Sequence, residues 1–173
     1  MPLIVKPKAR QDGLTLIEVL VALVVLAFGL IGIAGMQASS LRSGQDAYLR
    51  TQAMAIAQDM ADRMKMNWRA ALDNDYFPSG DPLVIDDEYG SPSFTNCASE
   101  TCTPEDVAFN DIGQLASHFT DVYGVDDGFV PTLPEGSALS LTRDGNVFII
   151  TVTWPSVPGG AGATGSVVLQ MVL

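Results

Sequence analysis

From residue 14 to residue 36 the only polar side chains are Thr15 and Glu18, and no other feature of the chain constrains its folding as strongly. As a helix rising about 1.5 Å per residue, this block is roughly 34 Å long, against a hydrocarbon core of roughly 30 Å. It is long enough to span a bilayer. The block also accounts for the mean hydropathy of +0.24, which is high for a chain of 173 residues, a length that allows one domain plus an appendage.

Lys6, Lys8 and Arg10 precede the block, as the basic region of a secretory signal does. Such a signal has an apolar core of about 7 to 15 residues and then a small-residue cleavage site. Here the run is longer, and Gln37, Ala38, Ser39 and Ser40 continue it as helix, so the block reads as an anchor. Basic residues stay on the cytoplasmic side, which sends everything after Met36 across the membrane. Cys97 and Cys102 agree, because paired cysteines persist as disulfides outside the cytosol. A bridge closing so small a loop contributes about 2 kcal/mol and pins a loop. A zinc site would need two further ligands, and the only histidine is His118, so neither metal nor cofactor is expected.

From residue 70 to the end there are fifteen acidic residues and one basic residue, Arg143, a formal net of −14. A surface so acidic repels phosphate backbones, and direct nucleic-acid binding is not expected.

Beyond the span, Leu41, Tyr48, Leu49, Ala53, Ile56, Met60 and Met64 recur at three- and four-residue steps among charged residues, the pattern of an amphipathic helix. Methionine at that spacing reads as adaptable core. No proline occurs from residue 11 to 77. One rod over residues 14–72 would then measure roughly 90 Å, apolar to residue 36 and amphipathic from 37 to 72. Residues 73–173 form the remaining domain. Its first part, rich in Asp, Pro, Ser and Gly, reads as loop with short strands around Leu83 to Ile85. Asp73, Asn74 and Asp75 begin like a calcium loop, without the glycine and glutamate it requires in register.

Thr103, Pro104, Glu105 and Asp106 form a helix start, with a capping hydroxyl, proline at the first position and acids at the positive dipole end. An apolar face of Ala108, Ile112, Leu115, Ala116 and Phe119 carries that helix over about residues 103–119. His118, near its end, is read as structural, a partial positive charge there being favoured by the dipole. Residues 138–143 and 146–154 flank Asp144-Gly145, a two-residue hairpin signal. A Pro/Gly-rich connection over 155–165 leads to a third strand at 166–173. The predicted fold is α+β, with the long N-terminal helix packed on a C-terminal antiparallel sheet.

The junction Gly13-Leu14-Thr15-Leu16-Ile17-Glu18 resembles the class III signal of type IV prepilins and pseudopilins: a short basic leader ending in glycine, then an apolar helix with glutamate fifth. The resemblance implies that a prepilin peptidase cuts between Gly13 and Leu14 and N-methylates Leu14, where phenylalanine is commonest. Glu18 has its own physical logic, because an ionisable group within a span needs a partner. The new amino group of Leu14, in this chain or a neighbour, lies at that depth. Gly29, Gly32 and Gly35 suit either a locally loosened helix or close packing between membrane helices.

Residues 19–37 and the segment Ala61-Asp62-Arg63-Met64-Lys65-Met66-Asn67-Trp68-Arg69-Ala70 resemble the V-type minor pilins (PilV, the type IV pilus modification proteins). So do the cysteine pair, the helix start at Thr103 and the strand ending at Trp154. That resemblance implies a non-enzymatic subunit of the inner membrane, its domain periplasmic and later part of the pilus. Its implied partners are other minor pilins, the major pilin, the assembly platform and the lipid bilayer. A minor pseudopilin of type II secretion shares the signal and the span. No catalytic constellation is visible that would suggest a membrane-anchored enzyme.

Overall fold

The computed structural model describes residues 15–90, 97, 101–121, 130–155 and 164–173; the leader, Gly13 and Leu14 lie outside them. Its elements are α1 Leu16–Met66, α2 Trp68–Leu72, β1 Leu83–Ile85, α3 Pro104–Ala116, β2 Ala138–Asp144, β3 Val147–Pro155 and β4 Thr164–Val172. The fold is α+β and pilin-like: a long apolar N-terminal helix and a C-terminal antiparallel sheet in the order β1-β2-β3-β4. Two compact units divide the chain, Met1–Ser43 and Gly44–Leu173.

In the second unit, strict period-2 alternation builds the sheet's inner face. Leu139 and Leu141 of β2, Phe148, Ile150, Val152 and Trp154 of β3, and Val167 and Met171 of β4 are buried. They share one core with Ala53, Ile56, Ala57, Met60, Ala61 and Met64 of α1 and with Ala108, Ile112, Leu115 and Ala116 of α3. The small residues of α1 let helix and sheet approach closely, while Met60 and Met64 fill the irregular space between them. The expected apolar stripe starts later than its spacing suggests, because Leu41 in the first unit and Tyr48 in the second are exposed.

Four boundaries differ from expectation, the simplest being β4, which starts at Thr164 and so takes Gly165 out of the expected connection. α1 stops at Met66 instead of continuing to residue 72, because Asn67 leaves helical geometry (φ −111°, ψ 46°). Its side-chain amide donates to the Pro104 carbonyl at 2.7 Å; asparagine competes with the helix through such bonds. α3 ends at Ala116, so His118 lies beyond it, where its Nδ1 is 2.9 Å from Thr132 Oγ1. Burial lowers the His118 pKa, so the expected stabilising positive charge gives way to a neutral, hydrogen-bonded ring. The hairpin turn is Gly145-Asn146, one residue later than expected, with Asp144 paired to Val147. Gly145 has φ +60°, while Asn146 keeps a negative φ. Glycine at the first central position is what a II′ turn needs.

The sheet has a fourth strand, β1, which pairs with β2 through Leu83↔Leu141 and Ile85↔Leu139. Arg143 then ties the hairpin to the helices. Its guanidinium donates to the Leu72 carbonyl at 2.7 Å, to the Ala71 carbonyl at 3.2 Å, and to Asn74, so it closes the C-terminal end of α2. It also lies 5.1 Å from the Phe148 ring centroid. The loop that begins like a calcium site thus receives a side-chain cation. Charge-assisted bonds contribute about 1.5–3 kcal/mol, so Arg143→Ala is expected to cost about 2 kcal/mol in thermal unfolding, with Arg143→Lys recovering only part.

Candidate assembly site

The first unit's helix begins with the Thr15 carbonyl accepting from the N–H groups of Glu18 at 3.0 Å and Val19 at 3.3 Å. Glu18 therefore sits in the first turn, where unpaired N–H groups leave a partial positive charge that favours a carboxylate. It is the only ionisable residue between Leu14 and Arg42. Around it the helix is bare: Leu16 is 85% exposed and Phe28 71%. The most apolar 18-residue window of α1 has mean hydropathy 2.9, with none of it buried. A surface of that kind is stable only in lipid or against sister helices. A Cβ placed on Gly29, Gly32 or Gly35 would meet nothing within 4 Å, so no contact among the described residues requires glycine there.

In the second unit, Cys97 and Cys102 form a disulfide with Cα atoms 5.5 Å apart. It ends one residue before Thr103, which caps α3. The Thr103 hydroxyl accepts from the Asp106 N–H at 3.2 Å and the Asp106 carboxylate accepts from the Thr103 N–H at 2.9 Å. The Thr103 hydroxyl also donates to that carboxylate at 2.7 Å, and this bond, then the one from the Thr103 N–H, lowers the Asp106 pKa.

The strongest polar cluster was not legible in the sequence. Asp111, on the core side of α3, accepts from the Tyr76 hydroxyl at 2.6 Å and from Arg63 Nη1 at 2.9 Å. Arg63 also meets Asp59 at 3.0 Å and Gln114 at 2.9 Å. Burial, and then the bond to Asp111, raise the Tyr76 pKa far above its ordinary value. Because Asp111 joins Tyr76 to Arg63, the cluster reads as a structural tie between α1, α3 and the segment after α2. Among the described residues, no group of three or more His, Cys, Asp or Glu side chains is placed to hold a metal ion.

Residues 8–34 match the family described as the prokaryotic N-terminal methylation motif, and residues 35–113 match the family described as type IV pilin Tt1218. No curated protein and no solved structure matches the chain. The methylation motif implies processing by a prepilin peptidase and assembly with other pilins, and with the bare N-terminal helix it fits an inner-membrane anchor. Type IV pilins are structural subunits and in general not enzymes. The two matches meet at residues 34 and 35 without overlap, and together they support placing this chain in the type IV pilin superfamily, as a subunit of a pilus or pseudopilus.

Proposed function

We propose that this chain is a V-type minor pilin, which helps other minor pilins prime the assembly of a type IV pilus at the inner membrane. Its processing removes residues 1–13 and leaves an N-methylated Leu14. Residues 14–36 hold it in the bilayer, and residues 73–173 lie in the periplasm until the subunit enters the filament. The observation that carries this reading is Glu18, a lone carboxylate in the first turn of a helix that is otherwise apolar and uncovered as far as Met36. Stripped of water, it attracts the amino group of Leu14 strongly, although desolvation cancels much of the gain. Pairing then acts mainly by setting register between subunits. The segment over residues 61–70 and the cysteine pair before Thr103 favour the V type.

Mass spectrometry of the mature N-terminus, in cells with and without prepilin peptidase, tests the processing. The expected product begins with N-methyl-Leu14 only when the peptidase is present; any other N-terminus refutes the reading. Glu18→Ala is expected to insert and be cut normally yet drop out of sheared filaments by at least tenfold. Incorporation at the wild-type level would remove the pairing role. Loss of secretion with intact pili would instead indicate a minor pseudopilin of type II secretion.

A further inference from the structure

The globular unit carries two uncovered features of opposite character. Around the break at Asn67, Met66 is 80% and Trp68 49% exposed, flanked by exposed Lys65 and Arg69. The Arg69 guanidinium lies 5.3 Å from the Trp68 ring centroid, and this stacking holds both side chains ready at little further entropic cost. Tryptophan and arginine are among the residues most enriched at the energetic centres of protein interfaces, and methionine is enriched in interfaces generally. Among the described residues Arg69 has no salt-bridge partner, and Lys65 meets only Asp62, at 3.1 Å. Arg63 and Arg143, by contrast, are spent inside the fold.

Beside β1 opens a cleft of about 610 Å³ whose walls include Pro78, Val84, Tyr89 and Phe109 and whose carboxylates are Asp86 and Glu88. Neither carboxylate has a cationic partner among the described residues. The cleft offers an apolar wall with negative charge, and the Trp68–Arg69 knob offers an apolar plate with positive charge. After residue 70 acid outnumbers base fifteen to one, so a complement on the chain itself comes from before it. Arg42 and Arg50 are exposed there too, but among the described residues the exposed cation that stacks on an exposed aromatic ring is the knob's Arg69.

We infer that the knob of Lys65, Met66, Trp68 and Arg69 docks into the Asp86–Glu88 cleft of a second copy of this chain. Knob and cleft are different patches, so the contact is head-to-tail and leaves one free knob and one free cleft on each pair. The inference rests on reading the chain as an assembly subunit, but it concerns a different surface from Glu18.

The test uses the full chain in proteoliposomes, as an equal mixture of unlabelled and ¹⁵N-labelled copies treated with a zero-length carbodiimide cross-linker. Peptide mass spectrometry is expected to find Lys65 joined to Asp86 or Glu88 across differently labelled copies. Arg69→Glu, or separately Trp68→Ala, should lower that product roughly tenfold while leaving the thermal midpoint unchanged. Arg69→Glu copies mixed with Asp86→Lys/Glu88→Lys copies should restore it in one direction only, from Lys65 of the second variant to the carboxylates of the first. No mixed-isotope product in the wild type, wild-type yield from Arg69→Glu alone, or no product from the mixture would each overturn the inference. Because Glu18 and the N-terminus are untouched, a failure here leaves the processing test standing, and the reverse also holds.

Discussion

Asp111→Ala is expected to lower the stability of the globular unit by about 3 kcal/mol, the upper end for leaving a buried polar group unsatisfied. Asp111 as a residue is 7% exposed and Tyr76 is fully buried. Without Asp111 the Tyr76 hydroxyl is left inside the core with no acceptor, and Arg63 keeps only its bonds to Asp59 and Gln114. Asp111→Asn keeps an acceptor for one partner, so its loss should be clearly smaller. Thermal unfolding of the detergent-solubilised full chain, followed by near-ultraviolet circular dichroism, measures both. A loss below about 1 kcal/mol for Asp111→Ala would show that water reaches the cluster and replaces the carboxylate.

The same cluster sets an alkaline limit. Burial and the bond to Asp111 raise the Tyr76 pKa above its ordinary value of 10.0, so the unfolded chain releases this proton at lower pH than the folded one. The resulting stability is complete below pH 10 and falls as the pH climbs towards the folded pKa. Tyr76→Phe should be less stable than wild type at pH 8 and should lose less as the pH rises above 10.

Local signals announced some parts of this fold and long-range contacts decided the rest. The membrane block, the Thr103 cap and the alternation of β3 each depend on residues within a few positions of one another, and the spacing alone exposed them. The Tyr76–Asp111–Arg63 cluster joins residues 35 and 48 positions apart, and nothing near Asp111 separates it from the acids that coat the surface. Arg143 was visible as the lone base after residue 70, but its role came from carbonyls left open at the end of α2. The break at Asn67 was hidden for the same reason: its partner is the Pro104 carbonyl, 37 residues away. Gly13, Leu14 and Glu18 stand out by motif, yet the pairing proposed for Glu18 involves an amine that only the proposed cleavage would create.

Gly165 shows how a residue that reads as loop can be demanded by a strand. Its composition places it in the Pro/Gly-rich connection, but it lies within β4, directly opposite Trp154. The Trp154 indole lies across the glycine, and a Cβ built there would sit on the ring atoms Cε2 and Cζ2. The ring is 2% exposed, and its Nε1 is the one buried side-chain polar atom without a hydrogen-bond partner among the described residues. An unmet N–H costs about 1–3 kcal/mol, so the indole is retained for the apolar area it buries, and that burial requires bare backbone opposite. Gly165→Val is therefore expected to cost about 3 kcal/mol, the upper end for overpacking a filled core. In a Trp154→Ala background, itself about 3–5 kcal/mol less stable, the same valine should cost less than half as much, because the space it needs is vacant. A double-mutant cycle measures the coupling directly. Additive losses would mean that the strand, and not the ring above it, selects glycine at this position.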